Sequence, residues 1–234
     1  MKKLAFLDTE TTDLDERTGD MWEIFLILRE PGRDDCGFWY QVRPDLAQAS
    51  PASVQIGRYY ERSRVTTVNM GMGKILCTSA EAPEGAAWIK RYTGNPPAPG
   101  DYYMDRSAAA IAAQLARRLD GATIVANNPA FDRKFLEKFL RGHGQILTAH
   151  HRMINVRDLL IGYIDGRLAA YDGKVEDAFE PTAVPYVEDW LVGAADSPAW
   201  EIVGVAEDPA TKHTALGDAR LVRDVYDAIR GARR

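Results

Sequence analysis

Cysteine is nearly absent: Cys36 and Cys77 are the two in a chain of 234 residues. Two thiols so far apart give no disulfide framework, and they lack the clustering of a zinc site. Long apolar runs are missing too. No stretch approaches the ~18 residues of a membrane span, so no membrane partner is expected. The opening MKKLAFLDTE carries a short apolar run before Asp8, against the roughly 7–15 residues of a secretory leader. The expectation is a cytoplasmic protein. Net positive charge is also lacking, at −5 overall. That weighs against a broad nucleic-acid surface, where a basic patch is usual. It leaves room for a small site that grips a few nucleotides through metal ions. There is no internal repeat and no low-complexity tract. What is there, 46% hydrophobic and 27% charged residues, suits one sizeable domain with a real core.

The pattern along the chain predicts strands at 3–8, 21–30 and 36–44, the last two joined as a hairpin through the turn residues PGRDD. A short helix is expected around Ala52. From Met70 to Gly100 the pattern dissolves into Gly- and Pro-rich sequence, with a short helix around Trp88 and Ile89. An irregular insertion at about 58–103 in a single domain spanning 1–234 is the reading. Ser107 caps a helix in which Ile111, Leu115 and Leu119 recur, with Gly121 past its end. ATIVAN, 122–127, reads as a strand. Asn128 and Pro129 then open a helix that Gly142 and Gly144 stop. A short strand and a helix from about Val156 follow. Residues 172–212, with four prolines, read mostly as loop with a short helix near 186–192. A last helix runs from about Thr214 to Arg230. This order predicts an α/β protein: a mixed central sheet flanked by helices. Two basic groups, Arg58/Arg62/Arg64 and Arg133/Lys134/Lys138/Arg141/Arg152, read as solvated charged faces.

Four acids do not fit the pattern around them. Asp8 and Glu10 end the apolar run Leu4–Leu7, and at i and i+2 of a strand they share a face and repel. In NPAFDRKFLEKFL, Asp132 precedes Phe135, Leu136, Phe139 and Leu140 by 3, 4, 7 and 8 residues. It therefore lies on the core-facing stripe. Asp218 stands in the same relation to Leu221, Val222, Val225 and Ile229. Each acid alone has an ordinary explanation, as a strand-exit or helix-dipole residue. Four in one small domain do not. Buried together they are unfavourable without cations. Mg²⁺ or Mn²⁺ suits carboxylate and water ligands best. Two such ions ~3.5–4 Å apart serve in-line attack on a phosphodiester.

His213 precedes Asp218 by five residues, so within one helix the two would diverge by ~140°. His213 is expected in the loop before a helix capped by Thr214. Its titration range suits a general base taking a proton from water; a direct metal ligand is the alternative. His143, His150 and His151 read as ordinary surface or capping residues.

In order, FLDTETTDL, NNPAFDRKFL and HTALGDA resemble the three motifs of the DEDD superfamily of 3′→5′ exonucleases, in its histidine-bearing (DEDDh) branch. That family includes the proofreading epsilon subunit of bacterial replicative polymerases and ribonuclease T. The match lies at Asp8, Glu10, Asp132, His213 and Asp218. WEI at 22–24 and YQVRP at 40–44 resemble the family's second and third strands. The resemblance implies a ribonuclease H-like fold and a DNA 3′-end exonuclease that releases nucleoside 5′-monophosphates. RNA 3′ ends, or a non-catalytic module that keeps the fold, are the alternatives. It implies two Mg²⁺ or Mn²⁺ ions, with Asp8 bridging both, Glu10 and Asp218 completing the site of the attacking water, and Asp132 helping to hold the second ion. Thr11, Thr12 and the backbone at Thr9 would cradle the terminal nucleotide. Asn128 and Phe131 would line the strand's path, although Phe131 fits the core equally well by periodicity. A DNA polymerase is a partner that the resemblance admits. Two departures stand out: Asp13 replaces the family's glycine after TETT, and the 58–103 insertion is longer than the family leads one to expect.

Overall fold

The computed structural model describes residues 2–63, 90–92, 107–191 and 199–231. Among these residues six strands make one sheet: β1 (Leu4–Thr11), β2 (Met21–Arg29), β3 (Cys36–Gln41), β4 (Lys90–Tyr92), β5 (Thr123–Ala126) and β6 (Ile154–Asn155), in the order β4-β3-β2-β1-β5-β6. β1 to β4 form an antiparallel meander, and β5 and β6 run parallel to β1. The expected three-strand meander is thus extended by β4, which falls within the stretch expected to be an irregular insertion. The α-helices among the described residues are α1 (Pro51–Ile56), α2 (Tyr59–Arg62), α3 (Ala108–Leu119), α4 (Pro129–Gly142), α5 (Val156–Ala170), α6 (Val175–Ala178), α7 (Val184–Leu191) and α8 (Ala215–Arg230). The expected helix around Trp88 and Ile89 lies outside the described residues. Among those residues no helix is long and apolar enough to cross a membrane.

Strand alternation divides the core. Ala5, Leu7, Ile24, Leu26 and Tyr40 face one way, onto Ile111 and Leu115 of α3 and Phe135, Leu136 and Leu140 of α4. Leu4, Phe6, Phe25 and Ile27 face the other way, onto Ala215, Ala219, Val222 and Val225 of α8. Burial on both faces explains why MWEIFLILR reads as an almost unbroken apolar run. A smaller cluster joins Leu160 and Ile164 of α5 to Ala178, Phe179 and Val187. It accounts for α6, a helix absent from the sequence reading. One turn is too short to carry a periodic signal and forms through packing.

Helix starts follow local chemistry. Ser107 accepts the N–H of Ala110 at 3.2 Å, and Thr214 accepts that of Gly217 at 3.0 Å. Asn128 occupies the N-cap of α4 but makes no side-chain cap bond, so Pro129 at the first turn does more to set that start. Gly217 has a packing reason. A Cβ there would stand 2.1 Å from the carbonyl oxygen of Thr211, so the loop before α8 lies directly on the helix. Gly217→Ala should destabilise the protein by about 1–3 kcal/mol through overpacking, read by urea denaturation; unchanged stability would refute this contact.

Candidate active site

Alternation along β1 puts Asp8 and Glu10 on the α8 side, in line with Leu4 and Phe6. Asp218, in the first turn of α8, meets them there. Asp8, Glu10 and Asp218 each offer a carboxylate oxygen, and the three oxygens lie within 4.8 Å of one another. Such a cluster can bind a metal, and its hard oxygen donors fit a hard divalent ion. Asp132 reaches the same strand from the α4 side and is 3% exposed. Its Oδ1 accepts the N–H of Thr9 at 3.0 Å and the Thr9 hydroxyl at 2.8 Å. The acid on the wrong face of each helix is therefore at the end of β1 in both cases. Asp132 stands outside the three-oxygen group, held by Thr9.

Burial raises all four carboxyls. Glu10 is pushed up to about 8, with the Arg62 guanidinium opposing the rise. Asp132 is pushed up to about 7, opposed by the Thr9 hydrogen bonds, and Asp218 to about 6. Asp8 rises well above the carboxylate range, first by burial and then by the charges of Asp132, Asp218 and Glu10.

His213 is exposed in the loop before α8, with φ 56°, a left-handed backbone. Thr9, Thr11 and Thr12 are buried. The Thr11 hydroxyl donates to the carbonyl of Asp13 at 2.7 Å, and Thr12 Oγ1 accepts the N–H of Asp20 at 2.9 Å. Asn128 is exposed. Phe131 is half-buried, its ring 4.9 Å from that of Phe135, so it shares the core while keeping an open edge. Asp13, where the resembled family has glycine, does not need a glycine's freedom, since its φ is not positive. Its carboxylate closes the loop by accepting the N–H of Leu14 and the hydroxyl of Thr18.

Two residues beside the acids escaped the sequence reading. Glu23 stands opposite Glu10 in the β1–β2 register and is fully buried. Arg62, assigned by sequence to a solvated face, has a side chain only 14% exposed and pairs with Glu23 and, at 3.6 Å, with Glu10. A lone acid inside the apolar run MWEIFLIL was the available signal. The second basic group also has structural tasks: Lys138 binds Asp20 at 2.8 Å and the Gly19 carbonyl at 2.8 Å.

No protein-family model and no curated protein matches the chain. Solved structures do. A product-bound exonuclease I is similar at TM-score 0.52 and 12% identity, over 99% of this chain and 44% of that one. The zinc-bound form of an E. coli exonuclease I complex with single-stranded DNA is similar at TM-score 0.51 and 11% identity, over 100% of this chain and 41% of that one. The chain thus spans less than half the length of these neighbours. At such identity the likeness shows the fold, the ribonuclease H-like arrangement.

The raised carboxyls make stability depend on pH. Each binds its proton more tightly folded than unfolded, where carboxyls titrate near ~4. Between about pH 4 and pH 8 the folded chain holds more protons, so metal-free stability falls as pH rises through that window. In EDTA the thermal midpoint should be lower at about pH 8 than at about pH 5. Mn²⁺ should raise it more at the higher pH, because it binds the deprotonated ligands. Stability that rises with pH in EDTA would contradict the buried cluster.

Proposed function

We propose that this protein is a metal-dependent 3′→5′ exonuclease of the histidine-bearing DEDD type. It would hydrolyse the terminal phosphodiester of DNA and release nucleoside 5′-monophosphates. The observation that carries this reading is the convergence of Asp8, Glu10 and Asp218 within 4.8 Å, with buried Asp132 beside them. That much negative charge at one strand end is tolerable only if cations neutralise it or protons do. The exonuclease I neighbours support the choice of nucleic acid, one being solved with single-stranded DNA.

Asp8, Glu10 and Asp218 would hold the ions, and Asp132 would complete the second site. Two Mg²⁺ or Mn²⁺ ions would supply Lewis acidity and a water of lowered pKa. His213, exposed at the head of α8, is placed in this reading to take the proton of the attacking water. Thr9 holds Asp132 through its N–H and hydroxyl. The Thr11 and Thr12 hydroxyls are engaged within their own loop, so these residues serve the terminal nucleotide as a rigid floor. The exposed Asn128 and the open edge of Phe131 line the strand's approach.

Asp8→Asn and Asp218→Asn should each abolish Mg²⁺-dependent digestion of single-stranded DNA while circular dichroism shows an intact fold. His213→Ala should lose roughly 10²–10⁴ in kcat. DNA and RNA of matched sequence, assayed side by side, test the substrate. Faster RNA trimming would favour the exoribonuclease alternative, and inactivity on both with Mn²⁺ present would favour a binding module. Full activity in Asp8→Asn would refute the metal assignment.

A further inference from the structure

The Arg62 side chain makes more directed contacts than any role as a surface charge requires. One end of its guanidinium pairs with Glu23. Glu23 is fully buried and fixed on its other sides: Oε1 accepts the indole N–H of Trp39 at 2.9 Å and a side-chain amide N–H of Gln41 at 2.8 Å. The other end, Nη1, donates to the carbonyl of Gly57 at 2.7 Å and to the carbonyl of His213 at 2.7 Å. Glu10 lies 3.6 Å away, and the guanidinium packs over the ring of Trp22 at 5.1 Å. A planar fork can satisfy this set of partners in one orientation; a lysine ammonium cannot.

The His213 carbonyl is an informative partner. His213 holds a left-handed backbone, φ 56°, without being glycine, a conformation that persists only when its surroundings enforce it. Arg62 contributes to that enforcement from 151 residues away in the chain, on the α8 face of the sheet where Glu23 Oε2 also accepts the N–H of Ala215 at 3.3 Å. The same guanidinium separates Glu10 from Glu23, two like charges paired directly across β1 and β2.

We propose that Arg62 is a positioning residue that acts through His213: anchored on Glu23, it fixes the backbone turn that aims His213 at the carboxylate cluster. The inference rests on the exonuclease reading for what His213 does. The contact itself is independent of that reading.

Removing Arg62 alone would strand a buried Glu23 charge, so the test uses the paired variant Glu23→Gln/Arg62→Met, with Arg62→Lys as a second probe. Hydrogen exchange on metal-free protein should show faster exchange at about residues 211–215 in both, beside any change around Gly57, whose carbonyl Arg62 also holds. The paired variant should lose about 10²-fold in kcat, the scale of a ~1 Å misplacement, with KM nearly unchanged. On a His213→Ala background the same pair should cost nothing further, because the two act as one unit. If the paired variant does not fold, Arg62→Lys decides, with the same exchange pattern and a kcat loss of about 10-fold, again absent on the His213→Ala background. Wild-type exchange at 211–215, wild-type kcat, or an equal loss with and without His213 would overturn the inference. A wild-type protein without metal-dependent activity would instead overturn the exonuclease reading, with the exchange result still deciding the contact.

Discussion

Like charge is concentrated where the protein can least afford it, at the buried end of its central strand. Asp8 and Glu10 share a face of β1, Glu23 stands across from Glu10, and Asp218 closes in from α8. Asp132 presses on the same strand from the other side through Thr9. In an interior of low effective dielectric this repulsion sets the terms for everything nearby. Protonation relieves it in part, as the raised carboxyls indicate. An internal cation, Arg62, relieves it at Glu10 and Glu23. In the proposed reading a divalent ion held by Asp8, Glu10 and Asp218 is the remaining partner.

The fold is arranged to hold these charges against one another. β1 lies between an antiparallel neighbour and a parallel one, so its backbone is fixed on both edges. Helices α4 and α8 bring their N-terminal turns to its end from opposite faces, each held by a separate apolar cluster. Positive helix ends pointing at carboxylates offset part of the repulsion. The loop ahead of α8 is pressed so closely on Gly217 that no side chain fits between them. The backbone contact therefore explains this glycine.

Much of this was legible in the sequence because the anomalies were periodic. Asp132 and Asp218 stood on apolar stripes, and those positions lie at the strand end. The α/β architecture followed from strand runs and capped helices, with Ser107 and Thr214 capping as their residue types predict. Three things were not legible, each for a physical reason. The β4 strand depends on pairing with β3 rather than on its own pattern. Helix α6 forms by docking Ala178 and Phe179 on α5. Arg62 looked like one of three surface arginines because its partners lie far away in the chain, at Glu23 and His213. Long-range ion pairs leave no local signature. Asp13, which departs from the resembled family, is accommodated by its own carboxylate bonds within the loop.

The claim at the centre is that the carboxylate cluster serves metal-dependent hydrolysis from a 3′ end. The most direct measurement is digestion of single-stranded DNA labelled at its 5′ end, with Mg²⁺ or with EDTA, resolving both the shortened strands and the released nucleotide. The account predicts a ladder shortened one nucleotide at a time from the 3′ end, with 5′-mononucleotides as product, and no digestion in EDTA. Cleavage that persists in EDTA, internal fragments, or mononucleotides released from the 5′ end would contradict it.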